Sequence, residues 1–433
     1  MMNLRSLVRA LLVCAVLLSS RSSHAVDIAY RSFTTSATMG PQAAQFANKL
    51  AALTAVALGA NRVRFVPLSG TPAIPPQFGG RILAAVAAGA AAGGFDAAYI
   101  SGTDLDKAWG FIFNSGVPFG PDFDEFIGFL YGKSINGTSS GLDLVQWMLD
   151  AHQSNVVVLP IVASSEQLSG YFPLPIGDND AHHRGIGLAG LCEQSWTLRY
   201  LPPAEYAIDK ACDNLVAVHA IASKNIRFIE AVPGAGSLVG AVKSGQLQGF
   251  EFATPLDDVS QLWVGADNPA TVGVRFVHAP GWQQQFLITW MVVNKDVWNT
   301  LSPGQQAMAA SVARDHVLSS YSESMQQQGD ALRHILSTNG AGRDEQMVLS
   351  EWPERDLERL SIATNQILNE RTRDPSLPSE DRQELATVLE LLRAYVHANN
   401  RYWNVRGIRP QMRFEQWRGP TGQPWADERR GRH

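Results

Sequence analysis

The chain has 433 residues, of which 35 are Lys or Arg and 40 are Asp or Glu, for a formal charge of −5 at pH 7. That mildly acidic balance excludes nucleic-acid binding through a broad basic face, and the short basic end RRGRH at 429–433 does not change it. With 45 % hydrophobic residues the chain can bury a large core, and its length exceeds what one core serves, so two lobes are expected.

Arg5 and Arg9 precede the apolar run 10–18, and Ser23-His24-Ala25 follows with a small-x-small pattern. Residues 1–25 therefore read as an export signal cleaved near Ala25, with the mature chain beginning at about Val26. Cys14 lies in the apolar run, but Val13 stands before it where a lipid-anchor signal wants a small residue. Cys192 and Cys212 remain after cleavage, an even pair compatible with a disulfide in an oxidising compartment but not proof of one. No later segment approaches the roughly 20 unbroken apolar residues of a membrane span.

In the first half, strands and helices alternate. Ala29–Thr35, Arg62–Pro67 and Phe95–Ile100 read as strands, with Gln42–Val56 and Arg81–Ala88 as helices between them, an α/β order. Asn155–Pro160 and Asn225–Val232 are further strand candidates. Near residue 250, GQLQGFEFATPLDD places Phe250 and Phe252 on one face of a strand and Glu251 on the other. Glu251 then either faces solvent or lies in a cleft.

From residue 300 the pattern becomes helical. Ser302, Pro303 and Gln305 supply an N-cap, a proline at the first helical position and a capping-box partner, and Asn339-Gly340 closes the far end. Met308, Val312, Tyr321, Met325, Leu332 and Ile335 recur at helical spacing along one long helix. Two more helices are expected at about 354–371 and 380–398, the latter with an apolar stripe of Leu385, Val388, Leu389, Leu392, Tyr395 and Val396. Such a stripe serves a core or a dimer seam.

Several motifs invite chemistry. GAGSLVG at 234–240 follows a strand and precedes a helix, but its third glycine is one place late for a dinucleotide loop. Asp178, Asp180, His182 and His183 could hold a transition metal or form a solvated loop. Neither a G-x-S-x-G elbow nor an H-E-x-x-H helix is present, and no nucleophile and base pair emerges, so the chain is not read as an enzyme. Arg199, before the Pro202-Pro203 turn, could grip a carboxylate through two parallel hydrogen bonds or form a surface ion pair.

Taken in order, GGFDAAYISG at 93–102, VPFG at 117–120, NVVVLPIVASSEQLSGYF at 155–172, TLRYLPP at 197–203, GAVKSGQLQGFEFATPLDD at 240–258 and APGWQQQF at 279–286 form a series. The series resembles the extracytoplasmic solute-binding subunits of tripartite ATP-independent periplasmic (TRAP) transporters, and most of all the branch that binds 2-oxo acids. The resemblance implies a two-lobed α/β periplasmic binding protein, type II-like, with a long bracing helix and C-terminal helices. It divides the chain into a signal peptide at 1–25, lobe I at 26–154 plus 259–300, and lobe II at 155–258. The long helix and C-terminal helices follow at 301–400, and an irregular tail at 401–433.

It also implies capture, without turnover, of a small monocarboxylate such as a 2-oxo acid. Arg199 would clamp the carboxylate, Gln167 and Glu251 would make polar contacts, and Tyr99, Phe252 and Trp282 would form apolar walls. A sodium or calcium ion bridging substrate and protein would be held by Gln167, Glu251, Phe252 and Gln284. This chain has Gln283 and Gln284 where the family pattern has a tryptophan and then a glutamate, which lowers the negative charge of that ion site. The implied partners are the membrane subunits of a TRAP transporter, with a homodimer permitted; an exported enzyme or a ligand-presenting sensor on the same scaffold are the competing readings.

Overall fold

The computed structural model describes residues 25–405 apart from 34–38, 70–72, 79–80, 106, 134–138, 174–185, 189–227, 231–238, 241, 245–248, 264–267, 338–346, 353–356, 358–360, 362–364 and 366–367. The N-terminal half runs β1 (Val26–Ser32), α1 (Met39–Leu58), β2 (Val63–Pro67), α2 (Ile82–Ala88), β3 (Ala97–Ser101), α3 (Gly110–Ser115), α4 (Phe123–Tyr131), α5 (Gly141–Ala151) and β4 (Val156–Ser164). Short strands β5 (Gly170–Phe172), β6 (Ile186–Leu188), β7 (Phe228–Glu230) and β8 (Gly249–Glu251) follow, then α6 (Pro255–Gln261), α7 (Pro269–Val272) and β9 (Phe276–Ala279). The described elements close with β10 (Leu287–Asn294), α8 (Lys295–Thr300), α9 (Pro303–Ser337), β11 (Val348–Glu351) and α10 (Ser379–Val405).

These strands build two sheets, and the molecule is a two-lobed α/β protein. Sheet one has the order β2-β1-β3-β10-β4. β1 lies parallel to β2 and β3, while β10 runs antiparallel between β3 and β4. Successive residues of its central strands serve opposite faces: Ala98, Ile100, Trp290 and Val292 enter one hydrophobic cluster, and Ala97, Tyr99, Met291 and Val293 the other. A strand covered on both sides needs a continuous apolar run, which is what VVVLPIVA in β4 supplies.

Sheet two has the order β11-β9-β5-β8-β6-β7 and packs Tyr171, Phe250 and Val277 into a separate cluster with Leu262, Val274, Ile335 and Met347. β4 therefore belongs to sheet one and β9 to sheet two. The chain crosses between the sheets at 165–169, at 280–286, and along α9.

Helix α9 begins with the expected capping box: Ser302 N–H donates to Gln305 Oε1 at 2.7 Å, and Gln305 N–H to Ser302 Oγ at 3.3 Å. Its 35 residues extend about 52 Å at 1.5 Å per residue. Val312, Ala313 and Val317 pack in lobe I, and Leu332 and Ile335 in lobe II. Met325, which helical spacing assigns to the buried stripe, is 51 % exposed. The helix turns polar groups to the end of β4, the first crossing and α6 instead: Ala163 N–H donates to Ser320 Oγ (2.9 Å), Ser165 N–H to Ser324 Oγ (3.1 Å) and Leu256 N–H to Gln328 Oε1 (2.8 Å).

Along α10 the apolar stripe faces inward. Leu385, Val388, Leu389, Leu392 and Val396 are buried in the lobe I core, so those side chains are already engaged within the chain. Glu384 fastens the same helix, accepting from Trp109 Nε1 at 3.0 Å and from His152 Nε2 at 2.8 Å. His152, Asp381 and Glu384 lie close enough to share an ion, but Lys107 sits 3.6 Å from Asp381 and already brings positive charge to the group.

Candidate functional site

The end of sheet two carries the carboxylate picked out by the sequence. β5 pairs antiparallel with β8 through Tyr171 and Phe250, and with β9 through Gly170 and His278. In that register Glu251, Gly170 and His278 form a row across three strands, with side chains on the face opposite Tyr171, Phe250 and Val277. Phe250 enters the lobe II core and Phe252 packs against it. Glu251 is 0 % exposed, which overturns the solvent-facing reading. Gly170 adopts φ +127°, and a side chain there would meet the Phe250 carbonyl at 2.7 Å, so this position needs glycine.

The crossing at 280–286 folds over this edge. Gln167 N–H donates to the Gln284 carbonyl at 3.2 Å, Gln283 Nε2 to the Leu168 carbonyl at 2.9 Å, and Ser169 Oγ to the Pro280 carbonyl. Gly281 lies against Gln167: a Cβ there would fall 1.8 Å from the Gln167 carbonyl oxygen. The structure thus brings Gln167, Trp282 and Gln284 together beside the end of the Glu251 strand. Gln167 Oε1 and Trp282 Nε1, an acceptor and a donor, are buried without a partner among the described residues.

Trp282 is held from both sides. Its ring stacks on Phe119 at 5.2 Å and 15°, and Phe119 N–H donates to the Trp282 carbonyl at 3.1 Å. Phe119 adopts φ 61°, an unfavourable conformation for a bulky side chain. Trp352, immediately after β11, meets Trp282 edge-on at 6.0 Å and 87° and packs against Phe172 and His278. Sequence reasoning identified neither Phe119 nor Trp352 as site residues. VPFG marked the first, whereas the second has no local signal because only the sheet register delivers it.

Just beyond Glu251, Asp258 fixes the turn into α6. Its carboxylate accepts from Tyr171 Oη at 2.6 Å and from Ala253 N–H at 3.1 Å, while Thr254 caps the helix. Burial pushes the Asp258 carboxyl well above the ordinary range; the Tyr171 hydrogen bond opposes this, and the charges of Asp257 and Glu251 add to it.

The remaining expected residues lie elsewhere. Tyr99 is 0 % exposed in the lobe I core, its hydroxyl donating to the Met39 carbonyl at 2.9 Å and lying 2.7 Å from Thr289 Oγ1. Arg199, Cys192, Cys212, and the Asp178, Asp180, His182 and His183 group lie outside the described residues. A small cavity of about 20 Å³, room for a water molecule, lies where α1, β4, α6 and α9 meet. Its lining, including Ser164, Ser320 and Ser324, shares nothing with the Glu251 group.

The donors suit a hard cation. Gln167 Oε1 is buried without a partner among the described residues and Glu251 is a buried carboxylate, and sodium and calcium take oxygen ligands. Among the described residues, no helix is long and apolar enough to cross a membrane.

No protein-family model and no curated protein matches the chain. Solved structures do. A TRAP transporter solute-binding protein from Bordetella bronchiseptica RB50, with copurified calcium and picolinate in one active site and the other apo, superposes with a TM-score of 0.59 at 15 % identity, over 89 % of this chain and 96 % of that one. A TRAP periplasmic solute-binding protein from Colwellia psychrerythraea with bound calcium and pyruvate gives 0.60 at 16 %, over 88 % and 97 %. Another from Pseudoalteromonas atlantica T6c, with bound sodium and pyruvate, gives 0.58 at 15 %, over 88 % and 97 %. The chain has the fold of the TRAP solute-binding proteins.

Proposed function

We propose that this protein is the periplasmic solute-binding component of a TRAP-type transporter and captures a small carboxylate, a 2-oxo acid or similar monocarboxylate, for its membrane subunits. The observation that carries the reading is the buried set at the end of sheet two, where Glu251 lies with Gln167 Oε1 and Trp282 N–H, the latter two buried without a partner among the described residues. Leaving such groups without partners is costly, and an oxygen-rich anion and a cation satisfy both kinds at once. Solved proteins of the same fold hold pyruvate or picolinate with calcium or sodium.

In this reading a cation held by Gln167 and Glu251, with Phe252 and Gln284 completing the set, screens Glu251 from the anionic substrate. Arg199 clamps the carboxylate, and the lobes close by rotation about the two crossings and α9. The role is capture and release without bond making.

A ligand that binds only the folded state raises the melting temperature by mass action. The test is a thermal-shift series with pyruvate, longer 2-oxo acids, 2-hydroxy acids and dicarboxylates, each with sodium, with calcium and after chelation. A monocarboxylate shift that needs the cation, weakened at least about tenfold in affinity by Arg199→Lys through loss of the bidentate grip, is expected. No shift with any acid under any ionic condition would overturn the reading.

A further inference from the structure

Trp352 lies beyond every motif that defines the carboxylate site, yet it reaches that site. Strand β11 runs parallel to β9, with Ser350 beside His278 and Glu351 beside Ala279. Trp352 N–H continues the register by donating to the Ala279 carbonyl at 3.2 Å. This places the indole over the turn that carries Trp282, among Trp282, Phe172 and His278, with ring centroids 6.0, 6.4 and 6.0 Å away.

The ring is 4 % exposed, and Trp282, which it meets edge-on, is 1 % exposed. Phe119 stacks on Trp282 as well, so the Trp282 indole has both Phe119 and Trp352 as ring neighbours. The Trp352 Nε1–H is also buried without a partner among the described residues, so a second indole donor lies near the Trp282 donor.

Resting on the proposed carboxylate-binding role, we infer that Trp352 is the residue that sets substrate length: its indole closes the far end of the site and restricts it to short-chain 2-oxo acids. A branched or aromatic side chain on the acid would have to occupy the volume the indole fills.

The experiment is calorimetric titration of the wild-type protein, Trp352→Phe and Trp352→Ala with pyruvate, 4-methyl-2-oxopentanoate and phenylpyruvate, in sodium and in calcium. Wild type is expected to prefer pyruvate over phenylpyruvate by about 100-fold, within the range a hydrophobic pocket achieves on side-chain size. Trp352→Ala is expected to bind phenylpyruvate at least about tenfold tighter than wild type does while losing affinity for pyruvate, with Trp352→Phe between the two.

A purely structural role would weaken all three acids together and leave their ratio unchanged, and that result overturns the inference. If Trp352→Ala does not fold, the ratio measured in Trp352→Phe decides by the same criterion. Binding of none of these or shorter carboxylates by wild type would instead remove the proposed function, and the role of Trp352 with it.

Discussion

Asp258 shows how a single buried group ties the site to solution conditions. Because burial raises its carboxyl above the ordinary value of 3.8, the folded protein holds a proton there that the unfolded chain has released. Within that window the folded state binds more protons, so stability falls as pH rises from about 4 toward the folded value, by at most about 1.4 kcal/mol per pH unit. Asp258→Asn cannot titrate and should show a flatter melting profile as pH rises above about 4; identical slopes in the two proteins would exclude Asp258 as the source. The placement of Glu251 was legible because strand alternation alone sends it to the face opposite Phe250. That of Tyr99 was not: it also alternates, but both faces of sheet one are covered, and alternation does not distinguish a cleft from a second core.

Among the elements, α9 and β11 mark the two extremes of legibility. The start of α9 was readable because capping is local chemistry, written within Ser302, Pro303 and Gln305. Its middle was not, because Ser320, Ser324 and Gln328 answer to the backbone of β4, the first crossing and α6, far away in sequence. Strand β11 was missed because VLSE has no strong alternation and lies at a sheet edge with Val348 and Leu349 partly exposed. The serine contacts are testable. Ser324→Ala leaves the Ser165 N–H buried without its acceptor and should cost about 1–3 kcal/mol in denaturant unfolding, whereas Ser322→Ala on the exposed face should stay within about 0.5 kcal/mol. Equal effects would mean that the backbone of the first crossing does not depend on the helix.

At the scale of the whole molecule, the last described helix decides how the lobes are stabilised. Leu389 is 1 % exposed in the lobe I core and Leu391, two residues on, is 45 % exposed. Leu389→Ala should cost about 2–5 kcal/mol through the cavity it leaves, whereas Leu391→Ala should change stability by less than about 0.5 kcal/mol. The reverse order, with a loss of mass under non-denaturing conditions on changing Leu391, would assign α10 to a subunit seam. The two-lobed α/β class was legible from the alternation of elements and from a series of short motifs in order. The partition of strands between the lobes was not, because pairing partners such as β4 and β10 are set by sheet topology.

That placement of α10 has a consequence for how the protein folds. Lobe I begins at β1 and is completed only when Leu385–Val396 dock onto it, more than 350 positions later. Contacts between segments so far apart in sequence close a long loop and form late in folding. Until α10 docks, the first sheet keeps its helix-binding surface uncovered. A chain truncated before α10 would expose that apolar surface and become a target for chaperones and proteases, even with every residue of the Glu251 group present.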